Sequence, residues 1–342
     1  MEKTNQSLTG YSKSRGINYV RLHLAKYSLL LNTYVSRDLN AFQKMLIGTD
    51  FITSVILYGA GINDYFQYQF FEKSISERKK FIVARKWKKI IRRCNGKIAQ
   101  DNFDDKSVFN RIYNDFLGRD WIDMDTVSIG EFQQFGTKHP ESLSKIKNGS
   151  GGNGIELFHY DKTTSEDDWK RLKKEHCILE EKIEQNHELK EFNPSSVNTI
   201  RVVTITNGSN IHVMNAVLKI GNGDGCTDNF HHYGLAALVD CETGIVITPA
   251  VDKKNGKYVS HPISGKEILG YQIPFWDRII NTVKRIALID PAIRYVGWDV
   301  ALNDKGEVCV IEGNCASDPD ITQIPDQIGK WPAYNAVLKE LQ

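Results

Sequence analysis

Two carboxylates and an amide near the C-terminus are the residues best placed to do chemistry. Asp299 sits in Gly297-Trp-Asp-Val-Ala-Leu302, and Glu312 and Asn314 close the run Val308-Cys-Val-Ile-Glu-Gly-Asn314. The turn Asn303-Asp-Lys-Gly306 predicts a hairpin that lays the two runs side by side. Residues two apart in an extended chain face the same way, so Glu312 and Asn314 share a face that Asp299 reaches from the neighbouring strand. Hard oxygen donors converging from two strands suit Mg²⁺, which takes a few protein carboxylates and completes its shell with phosphate oxygens. The competing reading is a pair of solvent-exposed strand-end acids. Acids buried in strands this apolar are costly without a cation.

A second candidate is Lys145-Ile-Lys147-Asn-Gly-Ser-Gly-Gly-Asn-Gly154, a lysine leading into a loop with Ser150, Gly151, Gly152 and Gly154. Such a loop lets backbone N–H groups approach phosphate oxygens while the lysine adds a point charge. The pattern is neither a P-loop nor a Rossmann fingerprint, and a surface turn explains it as readily. In Cys177-Ile-Leu-Glu-Glu-Lys-Ile183 an apolar run ends in paired acids, which suits either an adenine and ribose contact or an ordinary edge strand. Arg201 stands among β-branched residues, so it is either paired with an acid or functional. The 221–234 loop carries Asp228, Asn229, His231 and His232. No further ligands are spaced for a zinc site there.

These residues need strands and turns to hold them. From about residue 100 the pattern alternates: strands at 155–160 and 177–183 around a helix that Ser165 caps and that runs to about Glu175, then strands at 199–206, 211–220, 235–240 and 245–249. A helix follows Pro274, and the closing hairpin spans 296–312. The front is mostly helical. Apolar residues recur at helical spacing over 18–47, and 73–97 reads as one strongly basic helix. Its apolar positions pack inward while the cationic stems cover the rim.

The 342 residues carry 44 Lys and Arg against 42 Asp and Glu, with 41% apolar and 10% aromatic side chains. That excludes a disordered, fibrous or single-module protein and predicts two or three packed units. The near balance hides a split, because residues 1–100 hold 18 Lys and Arg against 6 Asp and Glu while the remainder is acidic. The basic stretch is a solvated face, a contact for an anionic membrane, or a nucleic-acid patch; no nucleic-acid motif accompanies it, so no nucleic acid is expected. Six scattered cysteines without a CxxC pair read as reduced thiols. The polar N-terminus lacks the apolar core of a secretory signal, and Phe51–Ile62 is too short to span a bilayer, so a cytoplasmic protein is expected.

Taken in order, lysine and glycine loop, acidic hinge and D…E-x-N hairpin resemble the ATP-grasp superfamily. Asp64-Tyr-Phe66, Asp105-Lys106, Ser196-Val-Asn-Thr-Ile-Arg201 and His261-Pro262 extend the resemblance over most of the chain from about residue 55. The family it is most similar to is the sugar-transfer-associated ATP-grasp family, predicted to act in cell-surface polysaccharide biosynthesis. This implies an α+β fold of two α+β subdomains clasping a nucleotide behind a helical N-terminal region, divided at 1–100, 101–183 and 184–342. It implies ATP and Mg²⁺, with Lys106 and Lys145 on phosphates, Ser150, Gly151, Gly152 and Gly154 beside them, and Glu180, Glu181 and Ile183 as the hinge. Arg201 would face the transferring phosphoryl group and Asn198 would fix the substrate or the metal shell, while Asp299, Glu312 and Asn314 would be the metal ligands. Ile146 stands where many relatives have proline, so Lys147 is the fallback for Lys145. The implied reaction joins a carboxylate, on a sugar or amino acid, to an amine through an acyl phosphate. A kinase acting on a hydroxyl and a non-catalytic nucleotide-binding module are the alternatives, and the basic front could hold an anionic glycan, a lipid-linked sugar diphosphate or the inner face of the membrane.

Overall fold

The computed structural model describes residues 17–149, 154–225, 228–230 and 234–341. Seven helices come first: α1 (Ile17–Tyr34), α2 (Ala41–Tyr58), α3 (Ile62–Gln67), α4 (Ile75–Arg78), α5 (Ala84–Cys94), α6 (Lys97–Asp104) and α7 (Lys106–Ile112). The 18–47 periodicity is divided at Asn40, whose side chain caps α2 in a capping box with Gln43. The single basic helix expected over 73–97 is also divided. Phe81, Ile82 and Val83 are buried between α4 and α5, and the Ile82 N–H donates to Gln323 Oε1 (2.8 Å), so a tertiary contact takes the backbone out of the helix.

Two antiparallel sheets follow. The first has four strands in the order β1-β4-β2-β3, formed by β1 (Trp121–Asp123), β2 (Glu141–Ile146), β3 (Ile155–His159) and β4 (Cys177–Glu181). Its helices α8 (Ile129–Lys138) and α9 (Ser165–Lys174) pack through Phe132, Phe135 and Leu172. The expected cap of α9 lies one residue earlier, at Thr164; Ser165 is buried and meets Gln133 instead.

The second sheet has seven strands in the order β11-β10-β5-β6-β7-β8-β9. They are β5 (Thr199–Asn207), β6 (Asn210–Ile220), β7 (Leu235–Val239), β8 (Ala250–Val251), β9 (Lys257–Tyr258), β10 (Tyr295–Leu302) and β11 (Val308–Asn314). The strand expected at 245–249 reduces to isolated bridges. The short helix α10 (His187–Lys190) precedes β5, and α11 (Trp276–Ile286), α12 (Asp320–Gln323) and α13 (Trp331–Glu340) complete the chain.

This sheet is covered on both faces. Ile200, Val202, Ala216, Leu218, Val296 and Trp298 face a core shared with α11. The alternate residues meet the N-terminal helices and α13: Val217 packs with Tyr65, Phe66 and Phe81, and Val203 and Tyr295 pack with Ile90 and Tyr334. Period-two alternation therefore sends Arg201, Lys219 and Asp299 to the second face, away from α11.

Candidate active site

Arg201, Lys219 and Asp299 lie on three adjacent strands, and the register sets Asp299 opposite both Arg201 on β5 and Glu312 on β11. Arg201 holds Asp299 in a fork, Nε to Oδ1 at 2.7 Å and Nη2 to Oδ2 at 2.6 Å, with Glu312 3.7 Å away. Lys219 donates to Asp299 at 2.9 Å and lies 3.1 Å from Asp228, which also accepts from the Thr199 N–H. Burial pushes the Asp299 carboxyl up, but Arg201 and Lys219 overcome it and hold it down to about 2. Burial likewise opposes the Lys219 charge, and Asp228 and Asp299 raise its pKa nonetheless.

The four-stranded sheet supplies a second ion cluster. Lys145 on β2 donates to Glu180 on β4 at 2.6 Å. Arg119 grips the same carboxylate at 2.8 and 3.0 Å, and Asn110 adds a bond at 2.9 Å. Burial pushes the Glu180 carboxyl up, yet Arg119 and Lys145 hold it well below the usual range. Arg119 also joins the two sheets, donating to the Val310 carbonyl (2.7 Å) and the Ile311 carbonyl (3.4 Å). The β10–β11 register shifts beside Asp299, leaving Ile311 as the extra residue of a bulge.

Between the clusters is a cavity of about 340 Å³. It is lined from the four-stranded sheet and the segment after it by Lys145, Glu180, Glu181 and Ile183, from the seven-stranded sheet by Arg201, Lys219, Asp299, Glu312 and Asn314, and elsewhere by Trp87, Phe230, Asp318 and Asp320. A mostly apolar cleft with a few convergent charges is the usual form of a small-molecule site.

A model of the sugar-transfer associated ATP-grasp family matches residues 86–339. The chain belongs to that family. No curated protein matches it in sequence. Among solved structures, the ATP-grasp ligase PsnB with a minimal precursor aligns over 72% of this chain and 64% of its own, at 14% identity and a TM-score of 0.45. The ADP complex of PurK, N5-carboxyaminoimidazole ribonucleotide synthetase, aligns over 71% and 54% at 10% identity and 0.46. An L-amino acid ligase from Bacillus licheniformis aligns over 63% and 41% at 13% identity and 0.39. The chain thus spans less than two thirds of each of these structures.

The ATP-grasp hairpin brings its three oxygen-bearing side chains together. Asn314 Nδ2 donates to Glu312 Oε1 at 3.1 Å, and Asp299 is directly across the strand. Two carboxylates and an amide are donors of the kind a hard divalent cation takes; Glu312 is half-exposed, whereas both Asp299 oxygens are engaged by Arg201 and Lys219, so a cation reaching Asp299 would have to displace one of these contacts. Of the two loop lysines, Lys145 enters the cavity. Lys147 is held by Asp123 (2.5 Å) and Asp125 (2.6 Å) and does not line it.

Lys106 opens α7 behind the Asp105 cap and seats its ammonium on the carbonyls of Gly149 and Lys147, bracing the glycine loop rather than lining the cavity. Gly154 has φ +75°, and a Cβ there would lie 2.7 Å from Ile146, so only glycine suits the return into β3. Ser150, Gly151 and Gly152, like His231 and His232, lie outside the described residues.

Glu181 also lines the cavity, and its Oε2 accepts from the Asp120 N–H at 2.9 Å. Asn198 sits behind the cavity wall. It is fully buried, its Nδ2 donates to Gln185, Leu189 and Asn193, and its Oδ1 accepts from the Gly221 N–H. In this structure the contact expected between Asn198 and a substrate or metal gives way to a positioning role, since both ends of its amide are engaged within the protein.

Sequence reasoning missed Lys219 and Arg119. Lys219 carried the same signal as Arg201, a cation within an apolar strand. Arg119, in Gly118-Arg119-Asp120, follows no pattern and is found only through its partners. Trp87, an apolar position of the basic stretch, lines the cavity, and its indole N–H donates to the Ser317 carbonyl (2.9 Å).

Proposed function

We propose that this protein is an ATP-dependent carboxylate–amine ligase that forms an amide through an acyl phosphate. The observation that carries the reading is the set of charges that line one cavity. Lys145, the Asp299, Glu312 and Asn314 cluster with Arg201 and Lys219, and the carboxylates Asp318 and Asp320 all border it. Membership of a sugar-transfer associated family favours a carboxylated sugar as acceptor, in surface polysaccharide biosynthesis at the cytoplasmic side where ATP is available.

Mg²⁺ bound at Asp299, Glu312 and Asn314 would neutralise charge between the phosphates. Lys145 binds phosphate oxygens, and Glu180 holds its ammonium in the cavity wall. Arg201, aligned by Asp299, faces the charge that develops as the phosphoryl group passes to the substrate carboxylate. Asp318 and Asp320 suit an amine that arrives as its ammonium. Burial pushes the Asp320 carboxyl up to about 6, so its carboxylate takes the proton that frees the amine, and the departing phosphate takes the second proton as the amide forms.

Hydroxylamine trapping tests this reading. ADP release should require a carboxylate and an amine together, and hydroxylamine in place of the amine should yield a hydroxamate. ADP release with a hydroxyl acceptor alone and no hydroxamate would assign a kinase instead.

A further inference from the structure

The outer surface of the N-terminal helices combines two stripes that neither the fold nor the cavity uses. On α2, Phe42, Met45, Leu46, Ile52 and Ile56 recur at helical spacing and are 51–66% exposed. Thr49 and Thr53 fall on the same face. Their hydroxyls donate back to the carbonyls of Met45 (3.0 Å) and Thr49 (2.8 Å), so the stripe contains no side-chain donor that must find water. The opposite side of α2 packs Ile47, Phe51 and Tyr58 into the protein. Asp50, the only acid on α2, is drawn to Arg78 (2.6 Å) and Tyr65 (2.8 Å).

The second stripe is on α5. Arg85, Lys88, Lys89 and Arg92 stand at i, i+3, i+4 and i+7 and are exposed, while Ile90 and Cys94 are buried. The two stripes are continuous. Arg85 donates to the carbonyl of Ile56 at 3.2 Å, so the cationic row begins where the apolar row ends.

We propose that α2 and α5 form a docking face for the surface of an anionic phospholipid bilayer, with the α2 stripe at the acyl boundary and the α5 cations on headgroup phosphates. Both halves of the face find a partner there, hydrocarbon for one and negative charge for the other. A second copy of the chain would supply apolar contact but would also bring its own cationic row. Among the described residues no helix is long and apolar enough to cross a membrane, so the contact is peripheral. Trp87, on α5 itself, lines the cavity and donates to the Ser317 carbonyl, so the docked helix adjoins the cavity wall. The docking face does not depend on the ligase reading; presentation of lipid-linked acceptors to the cavity does.

Co-sedimentation of the full chain with vesicles tests the proposal. Vesicles of equal parts phosphatidylglycerol and phosphatidylcholine should retain the protein at low salt. Pure phosphatidylcholine, or high salt, should weaken retention by about tenfold or more. Phe42→Ser with Ile56→Ser, and separately Lys88→Gln with Arg92→Gln, should each reduce retention by about tenfold with melting temperature and ATP affinity unchanged. Failure of the unaltered chain to sediment with the anionic vesicles overturns the proposal, and so does retention of both variants at its level. A dimer in solution that the Phe42→Ser, Ile56→Ser variant dissociates, with no vesicle binding by either form, assigns the face to self-association instead.

Discussion

The two walls of the cavity use the same material, ion pairs gathered around one buried strand carboxylate, Glu180 or Asp299, with opposite surpluses. Beside the four-stranded sheet one carboxylate, Glu180, serves two cations, Arg119 and Lys145. At the seven-stranded sheet three carboxylates, Asp228 from the 221–234 loop and Asp299 and Glu312 from the strands, serve two cations, Arg201 and Lys219. The first wall is left positive and the second negative, the surpluses that the proposed phosphate and cation sites would use. The difference shows how strand pairing can build opposite fields within one small cleft: each cluster is mostly neutralised internally, and only the remainder faces the ligand.

The strongest way to break this comparison is to remove the carboxylate at the centre of each cluster. Glu180→Gln leaves Arg119 and Lys145 buried without a counter-charge, and Asp299→Asn weakens the pairing of Arg201 and Lys219. Each should cost about 3–5 kcal/mol in urea denaturation. A loss below about 1 kcal/mol from Glu180→Gln would show that the cluster is not a closed ion lattice. The pH dependence follows the same sign. Asp299 is held at about 2, below its ordinary 3.8, so it contributes stability above about pH 4 that is lost as pH falls toward 2.

Glu312→Gln sharpens the functional half of the contrast. Glu312 is half-exposed, so the fold should persist while magnesium-dependent ADP release falls by roughly 10²–10³. Retention of full turnover would remove Glu312 from the metal assignment. On the positive wall, Lys145→Ala should weaken ATP binding by about tenfold and Lys147→Ala by less than about twofold, measured by calorimetry. Equal losses would mean that Lys147 also reaches the nucleotide.

The smallest effect is expected at Asp320. Asp320 is pushed up to about 6 by burial, so its folded form favours the proton and its stabilising contribution is lost as pH rises from about 4 through 6. Asp320→Asn should therefore raise the melting temperature by roughly 2–4 °C at pH 8 and leave it unchanged at pH 4. The same variant should slow amide formation. A pH-independent difference would separate stability from the charge of this group.

Much of the site was legible because it is local. Glu312 and Asn314 share a face by spacing alone, the Asn303–Gly306 turn fixes the hairpin, and a cation in an apolar strand marked Arg201. The same rule applied to Lys219 would have found it too. The helix boundaries were less legible. The basic run over 73–97 has helical periodicity throughout, but burial of Phe81, Ile82 and Val83 against the C-terminal part of the chain interrupts it.

From its own periodicities the chain determined which residues alternate across a strand, where turns fall, and which side chains are too charged to stand alone in an apolar strand. Those properties depend on neighbours within a few residues, so they can be read along the chain. Only the tertiary structure decided that Arg119 closes on Glu180 from 61 positions away, that Lys145 rather than Lys147 enters the cavity, and that Asn198 is turned into the protein's own hydrogen bonds. The reason is physical: a buried charge or amide takes whichever partner desolvation and packing leave within reach, and that partner is set by how the sheets meet.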